Sequence, residues 1–206
     1  MNKPYFRFLF PVLCIVCFAL GLSSCATAKE DEMTDIIPVA VNGNYEGETT
    51  AVYEKRLCTA ENSERLRKES QERARELYGN STDPRDQIKL KLFNWWGDWV
   101  PDYEGWCKIA DTLYAPGSTI VAIGGEPQIY ENYRRSMRYQ RDKMNMQMGP
   151  ILNITVDGNV AALVYYMYLT PKGSNETRTT LITEYNTFEY VDGELMVTDL
   201  HLYSGS

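Results

Sequence analysis

The last third of the chain, Ile151 to Tyr203, alternates apolar and polar positions with the period of two that a half-buried strand requires. Two Asp-Gly dipeptides, Asp157-Gly158 and Asp192-Gly193, punctuate it and predict two hairpins in series: Ile151–Val156 with Asn159–Thr170, then Thr177–Val191 with Glu194–Tyr203. Strands of about a dozen residues exceed the usual five or six, so the sheet is expected to be strongly curved. Upstream the period changes to that of a helix. Ile88, Leu92, Trp95, Trp96 and Trp99 recur at helical spacing, with Thr82 or Asp83 available as cap, Pro84 at the first helical position and Pro101 as the stop. A short helix over Tyr103–Ala110 brings in Trp106, and core packing against the sheet is the preferred reading of the four tryptophans over an aromatic ligand box. Thr112–Ile123 reads as a strand interrupted at Pro116-Gly117. Gly124-Gly125 reads as a tight turn and not a phosphate loop, since the lysine such a loop needs is missing. A helix from Pro127 to about Asp142 follows, with Ile129, Tyr133 and Met137 on one stripe. The class is α+β.

Asn62–Tyr78 is a further helix, dense in charge, in which Glu61/Arg65, Glu64/Lys68 and Glu69/Arg73 have the favourable i,i+4 order and Gly79 marks the end. Thin apolar content places it on the surface. Before it, residues 25–58 are rich in Asp, Glu, Gly, Asn and Thr, with one apolar patch at Ile36–Val41, and read as a flexible tether. The organisation expected is a signal peptide over 1–24, the tether over 25–58, the charged helix over 59–80 and a folded domain over 81–206.

The N-terminus sets the location. Lys3 and Arg7 precede an apolar run, Phe8 to Leu22, of signal-peptide length, which ends in Leu22-Ser23-Ser24-Cys25. This resembles the lipobox of bacterial lipoproteins. The resemblance implies cleavage before Cys25, acylation of that cysteine and anchorage of the domain in the bacterial cell envelope, the lipid membrane being one partner. Asn80, Asn153 and Asn175 begin glycosylation sequons, which such a location makes incidental.

The net charge of −7, with no basic cluster outside the N-terminus, argues against a nucleic-acid partner, which needs a positive footprint. Of the five cysteines, Cys58 and Cys107 belong to the folded part, either as a disulfide or as two buried thiols.

The order of helices, strand, helix and long antiparallel meander, with the stretches Asp86–Trp99, Trp106–Tyr114 and above all Phe188 to Tyr203, resembles the NTF2-like superfamily and within it the SnoaL-like domains. The resemblance implies a cone, a curved antiparallel sheet wrapped around about three helices, with a pocket at the open end and a sheet face that can form a homodimer. Such domains include isomerases, cyclases, dehydratases and binding proteins, so the fold leaves the activity open. Where an Asp often follows the final tyrosine in that superfamily, this chain has Ser204 after Tyr203.

A site candidate follows from the second hairpin. With Asp192-Gly193 as a two-residue turn, Tyr190 opposes Leu195, Phe188 opposes Val197, Asn186 opposes Asp199 and Glu184 opposes His201, all on one face. Glu184 beside His201 is a unit of acid–base chemistry, with Asp199 two residues along. Asn186, Phe188, Tyr190 and Tyr203 are candidates for ligand contacts. No cofactor is expected, and one His among scattered carboxylates does not make a metal site. The expected function is binding of a small, partly apolar ligand or an envelope protein. The alternative is a SnoaL-like enzyme in which His201 works with Glu184 or Asp199.

Overall fold

The computed structural model describes residues 36–42 and 49–54, by backbone, and residues 58–205. The expected signal peptide, Cys25 and the rest of the expected tether lie outside the described residues. Twelve elements follow in order: β1 (Ile36–Asn42), β2 (Thr49–Glu54), α1 (Ser63–Tyr78), α2 (Pro84–Asp98), α3 (Tyr103–Ala110), β3 (Tyr114–Val121), β4 (Gln128–Ile129), α4 (Tyr130–Lys143), β5 (Met144–Asp157), β6 (Val160–Pro171), β7 (Arg178–Val191) and β8 (Glu194–Ser204).

The long hairpins owe their register to their turns. Val191 and Glu194 pair across Asp192-Gly193, whose φ angles of 52° and 85° are the two left-handed conformations of a type I′ turn. In the first hairpin Asp157 pairs with Val160, so the turn is Gly158-Asn159, one residue later than the Asp-Gly expectation. Asn159 explains the shift: its Nδ2 donates to the Phe188 carbonyl at 2.9 Å, and its own carbonyl accepts from Phe188 N at 2.8 Å. The residue is thereby pinned to β7. β5 also starts earlier than Ile151. It runs on directly from α4 and passes Gly149-Pro150 with register shifts between Met148 and Asn153, so the strand bends there.

The sheet has the order β2-β1-β5-β6-β7-β8-β3-β4. β1 and β2 form within the stretch expected as a tether: the apolar run at Ile36 supplies a strand that pairs in parallel with β5, Ala40 to Asn153, and so covers an edge left open by the meander. At the other end β3 runs parallel to β8 and continues through Pro116-Gly117, with an irregular register between Tyr114 and Thr119 and a φ of 73° at Gly117. β4 takes the residues expected to begin the last helix, so α4 starts at Tyr130.

The helices sit against the inner face of this curved sheet. Asp83 caps α2, accepting from Arg85 N at 2.9 Å, with Pro84 in the first turn. Asp102 caps α3 through Gly105 N at 2.6 Å. α2 buries Ile88, Leu92, Phe93, Trp95 and Trp96 against Ile154, Leu163, Tyr165, Ile182, Phe188 and Val197 of the sheet. α1 is less superficial than its charge predicts. Leu66, Arg67, Ser70, Gln71, Ala74 and Tyr78 form a buried stripe on it, while its outer face carries Arg65–Glu69 and Arg73–Glu76 ion pairs, and Lys68 reaches across to Asp98 of α2. Cys58 and Cys107 are buried free thiols.

Candidate functional site

The position of Glu184 follows from how β8 runs beside β7. From the turn, Tyr190 pairs with Leu195, Glu189 with Met196 and Phe188 with Val197. A β-bulge then intervenes, and Thr187 pairs with Asp199, Tyr185 with His201 and Glu184 with Leu202. The expected pairs Asn186–Asp199 and Glu184–His201 are therefore corrected by one residue, and His201 leaves the face that carries Glu184. Core burial is the cause. The extra residue lets both Val197 and Leu200 face inward, at 0% and 1% exposure. Without it Asp199 and His201 would face the core while Leu200 and Leu202 faced out. Burying one leucine is worth about 2 kcal/mol, and an unpaired buried carboxylate costs more than that.

The candidate residues divide between the two faces. Outside, His201 Nε2 lies 3.0 Å from Asp199 Oδ2, with both side chains more than a third exposed. The His201 ring stacks on Tyr203 at 6.4 Å, and Tyr203 meets Tyr185 edge-on at 5.9 Å. Tyr190 is exposed near the turn, and Phe188 is core. Inside, Glu184 is 3% exposed. Its Oε2 accepts from the Tyr165 hydroxyl at 2.9 Å and its Oε1 from Asn186 Nδ2 at 2.8 Å. Burial pushes the Glu184 carboxyl up to about 7, against the opposing pull of those two hydrogen bonds. Asn186 is fully buried, and its Oδ1 has no hydrogen-bond partner.

Glu184 lines a cavity of about 190 Å³. Its walls come from Trp95, Trp99 and Trp106, from Tyr133 and Arg141 of α4, from Met146 and Met148 of β5, and from Tyr165 and Met167 of β6. Burial, reinforced by the Glu184 charge, raises the Tyr114, Tyr133 and Tyr165 hydroxyls, so all three stay protonated as donors. Arg141 lies at the same cavity, its Nη1 donating to the carbonyls of Val100 and Pro101. Burial lowers its guanidinium to about 10, which leaves it charged at neutral pH. A carboxyl that exchanges its proton near neutrality, in an aromatic cavity with a phenol donor beside it, can hydrogen-bond a ligand in either protonation state or transfer a proton to it.

Tyr165, Tyr133 and Arg141 were absent from the sequence candidates. One signal of the bulge is legible in the chain: the apolar positions of β8 shift phase, from Leu195 and Val197 to Leu200 and Leu202. Among the described residues no group of three or more His, Cys, Asp or Glu side chains is placed to hold a metal ion.

No family model matches the chain, and no curated protein does. Similar solved structures include a SnoaL-like protein from Jannaschia sp. CCS1, 13% identical over 61% of this chain and 90% of that one, with a TM-score of 0.48. An NTF2-like protein from Cytophaga hutchinsonii is 12% identical over 60% and 100%, with a TM-score of 0.41. A protein of ketosteroid isomerase-like fold from Catenulispora acidiphila, solved with trimethylamine, is 13% identical over 60% and 86%, with a TM-score of 0.43. The protein's own structure is an α+β cone with an acid-bearing aromatic cavity, and the functional reading rests on that cavity.

Proposed function

We propose that this protein binds a small, largely apolar molecule in the cavity inside the cone, with Glu184 and Tyr165 engaging a polar group of that molecule. One observation carries the reading: a carboxyl group closed to bulk solvent lines an aromatic cavity, where a stable core would place an apolar side chain. The cavity can be tested by calorimetry with small neutral aromatics such as cinnamamide. Binding to the wild type and its loss in Met167→Trp, which fills the cavity from a half-buried wall position, is the expected result. Binding undiminished in Met167→Trp would place the probe elsewhere and refute the reading.

The lipobox-like Leu22-Ser23-Ser24-Cys25 supports anchorage of the domain in a bacterial envelope through acylated Cys25. Metabolic labelling with an alkyne fatty acid, lost in Cys25→Ser, tests this. An unlabelled wild type would sink it.

A second reading is proton-transfer catalysis, favoured by the near-neutral Glu184 carboxyl. It assigns the proton to Glu184 alone, because His201 lies on the opposite face of the sheet. Exchange of α-protons of small ketones in D2O, abolished in Glu184→Gln and kept in His201→Ala, is its signature. Absence of exchange across a ketone panel would leave binding as the function.

A further inference from the structure

The cations of this protein are distributed unevenly. Arg65, Arg73, Arg85, Arg134 and Arg138, all at least a third exposed, each have a carboxylate partner. Lys89, buried to 2% exposure, keeps Asp86 at 3.1 Å. Arg141 is 5% exposed and has no ion pair among the described residues. Its Nη1 is used by two backbone carbonyls, and its Nε is buried with no hydrogen-bond partner. Asp102 lends it some electrostatic support, but one oxygen of that carboxylate is engaged in capping α3. The guanidinium lies over the rings of Trp106 at 5.1 Å and Trp99 at 5.3 Å.

Arg67 makes a useful contrast. It too is buried without a carboxylate, over Trp99 at 5.0 Å, but its two terminal nitrogens tie the Met148 and Trp99 carbonyls together and it lines no described cavity. Its role is structural. Arg141 holds backbone with one nitrogen and lines the cavity with a charge that no ion pair among the described residues neutralises. A buried cation without a counter-charge costs several kcal/mol, and an anion delivered to it recovers part of that cost.

We infer that the Arg141 end of the cavity is an anion subsite, and that the ligand is a monocarboxylate whose apolar body lies among the tryptophans and whose charge pairs with Arg141. The inference rests on the cavity being a ligand site. A carboxylate is the fitting oxyanion because one planar guanidinium supplies one positive charge and a fork of donors, too little for a doubly charged phosphate. Size sets the body. At about 190 Å³ the cavity is somewhat larger than the ~150 Å³ cavity that accommodates benzene, which leaves room for one ring and a short chain. Tyr133 links the two ends of the site: burial and then the Glu184 charge raise its hydroxyl, and the Arg141 charge opposes them.

The experiment compares trans-cinnamate with its uncharged isostere cinnamamide by calorimetry on the full chain at pH 7. Cinnamate is expected to bind at least about tenfold tighter, as one charge-assisted hydrogen bond contributes about 1.5–3 kcal/mol. Arg141→Met is expected to abolish the preference, so that cinnamate and cinnamamide bind that variant equally; Arg141→Lys, which keeps the charge and loses the fork, is expected to reduce it. Equal affinities in the wild type, or a preference undiminished in either variant, would overturn the anion subsite and leave the cavity standing. Binding of neither probe would overturn both.

Discussion

Glu184→Gln keeps the size and shape of a buried side chain and removes its titration. The carboxyl rises from an ordinary 4.5 to about 7 because burial penalises its charged form. A shift of this size, at about 1.36 kcal/mol per unit, makes a contribution of about 3 kcal/mol. The sign follows from proton binding. Between pH 4.5 and 7 the folded protein holds this proton and the unfolded chain has released it, so the contribution is fully present below pH 4.5 and is lost as pH rises to about 7. The variant should fold. Its amide oxygen can accept from Tyr165, and its NH2 can donate to Asn186 once that amide turns, giving the unpartnered Asn186 Oδ1 a donor. Urea denaturation of both proteins, followed by tryptophan fluorescence at half-unit steps from pH 4.5 to 8, gives the difference in stability between them as a function of pH. That difference should shift against the wild type by about 3 kcal/mol across the window, then level off. A difference that stays flat with pH would mean that Glu184 is solvated or paired in solution, and would refute both the buried carboxyl and the function built on it.

Three further outcomes follow from the same geometry. His201→Ala should leave cavity binding unchanged and cost less than ~1 kcal/mol in urea, because the Asp199–His201 pair lies on the half-exposed outer face; a larger loss or impaired binding would contradict the bulge. Gly97→Ala should destabilise by about 1–3 kcal/mol, reversing the usual helical gain, because the added carbon would lie 2.7 Å from Gln71 Cβ where α2 crosses α1; a raised Tm would show that the helices are less closely packed. Trp96→Ala should cost about 3–5 kcal/mol, since the ring is 1% exposed and meets Tyr165 edge-on at 5.0 Å; a milder loss in chemical denaturation would place Trp96 outside the core.

Much of this protein could be read from the order of its residues, because those signals are local. The Asp192-Gly193 turn requires two left-handed residues, Asp83-Pro84 and Asp102 start helices through their own backbone bonds, and alternation over β6 and β7 assigns an inner and an outer face. The inward direction of Glu184, Asn186 and Phe188 follows from that alternation once the sheet closes over α2. Tertiary structure alone decided the rest. Whether β8 carries a bulge depends on the balance between burying Leu200 and burying Asp199, and that balance exists only once helices cover the sheet. The same closure brings the Tyr165 hydroxyl to Glu184 from 19 residues away, and sets Arg141 against Trp99 and the carbonyls of Val100 and Pro101 about 40 residues back in the chain. Turns and caps are decided by neighbours in sequence. The environment that makes Glu184 a weak acid and buries Arg141 without an ion pair among the described residues is decided by neighbours in space, whose desolvation has no counterpart in the unfolded chain.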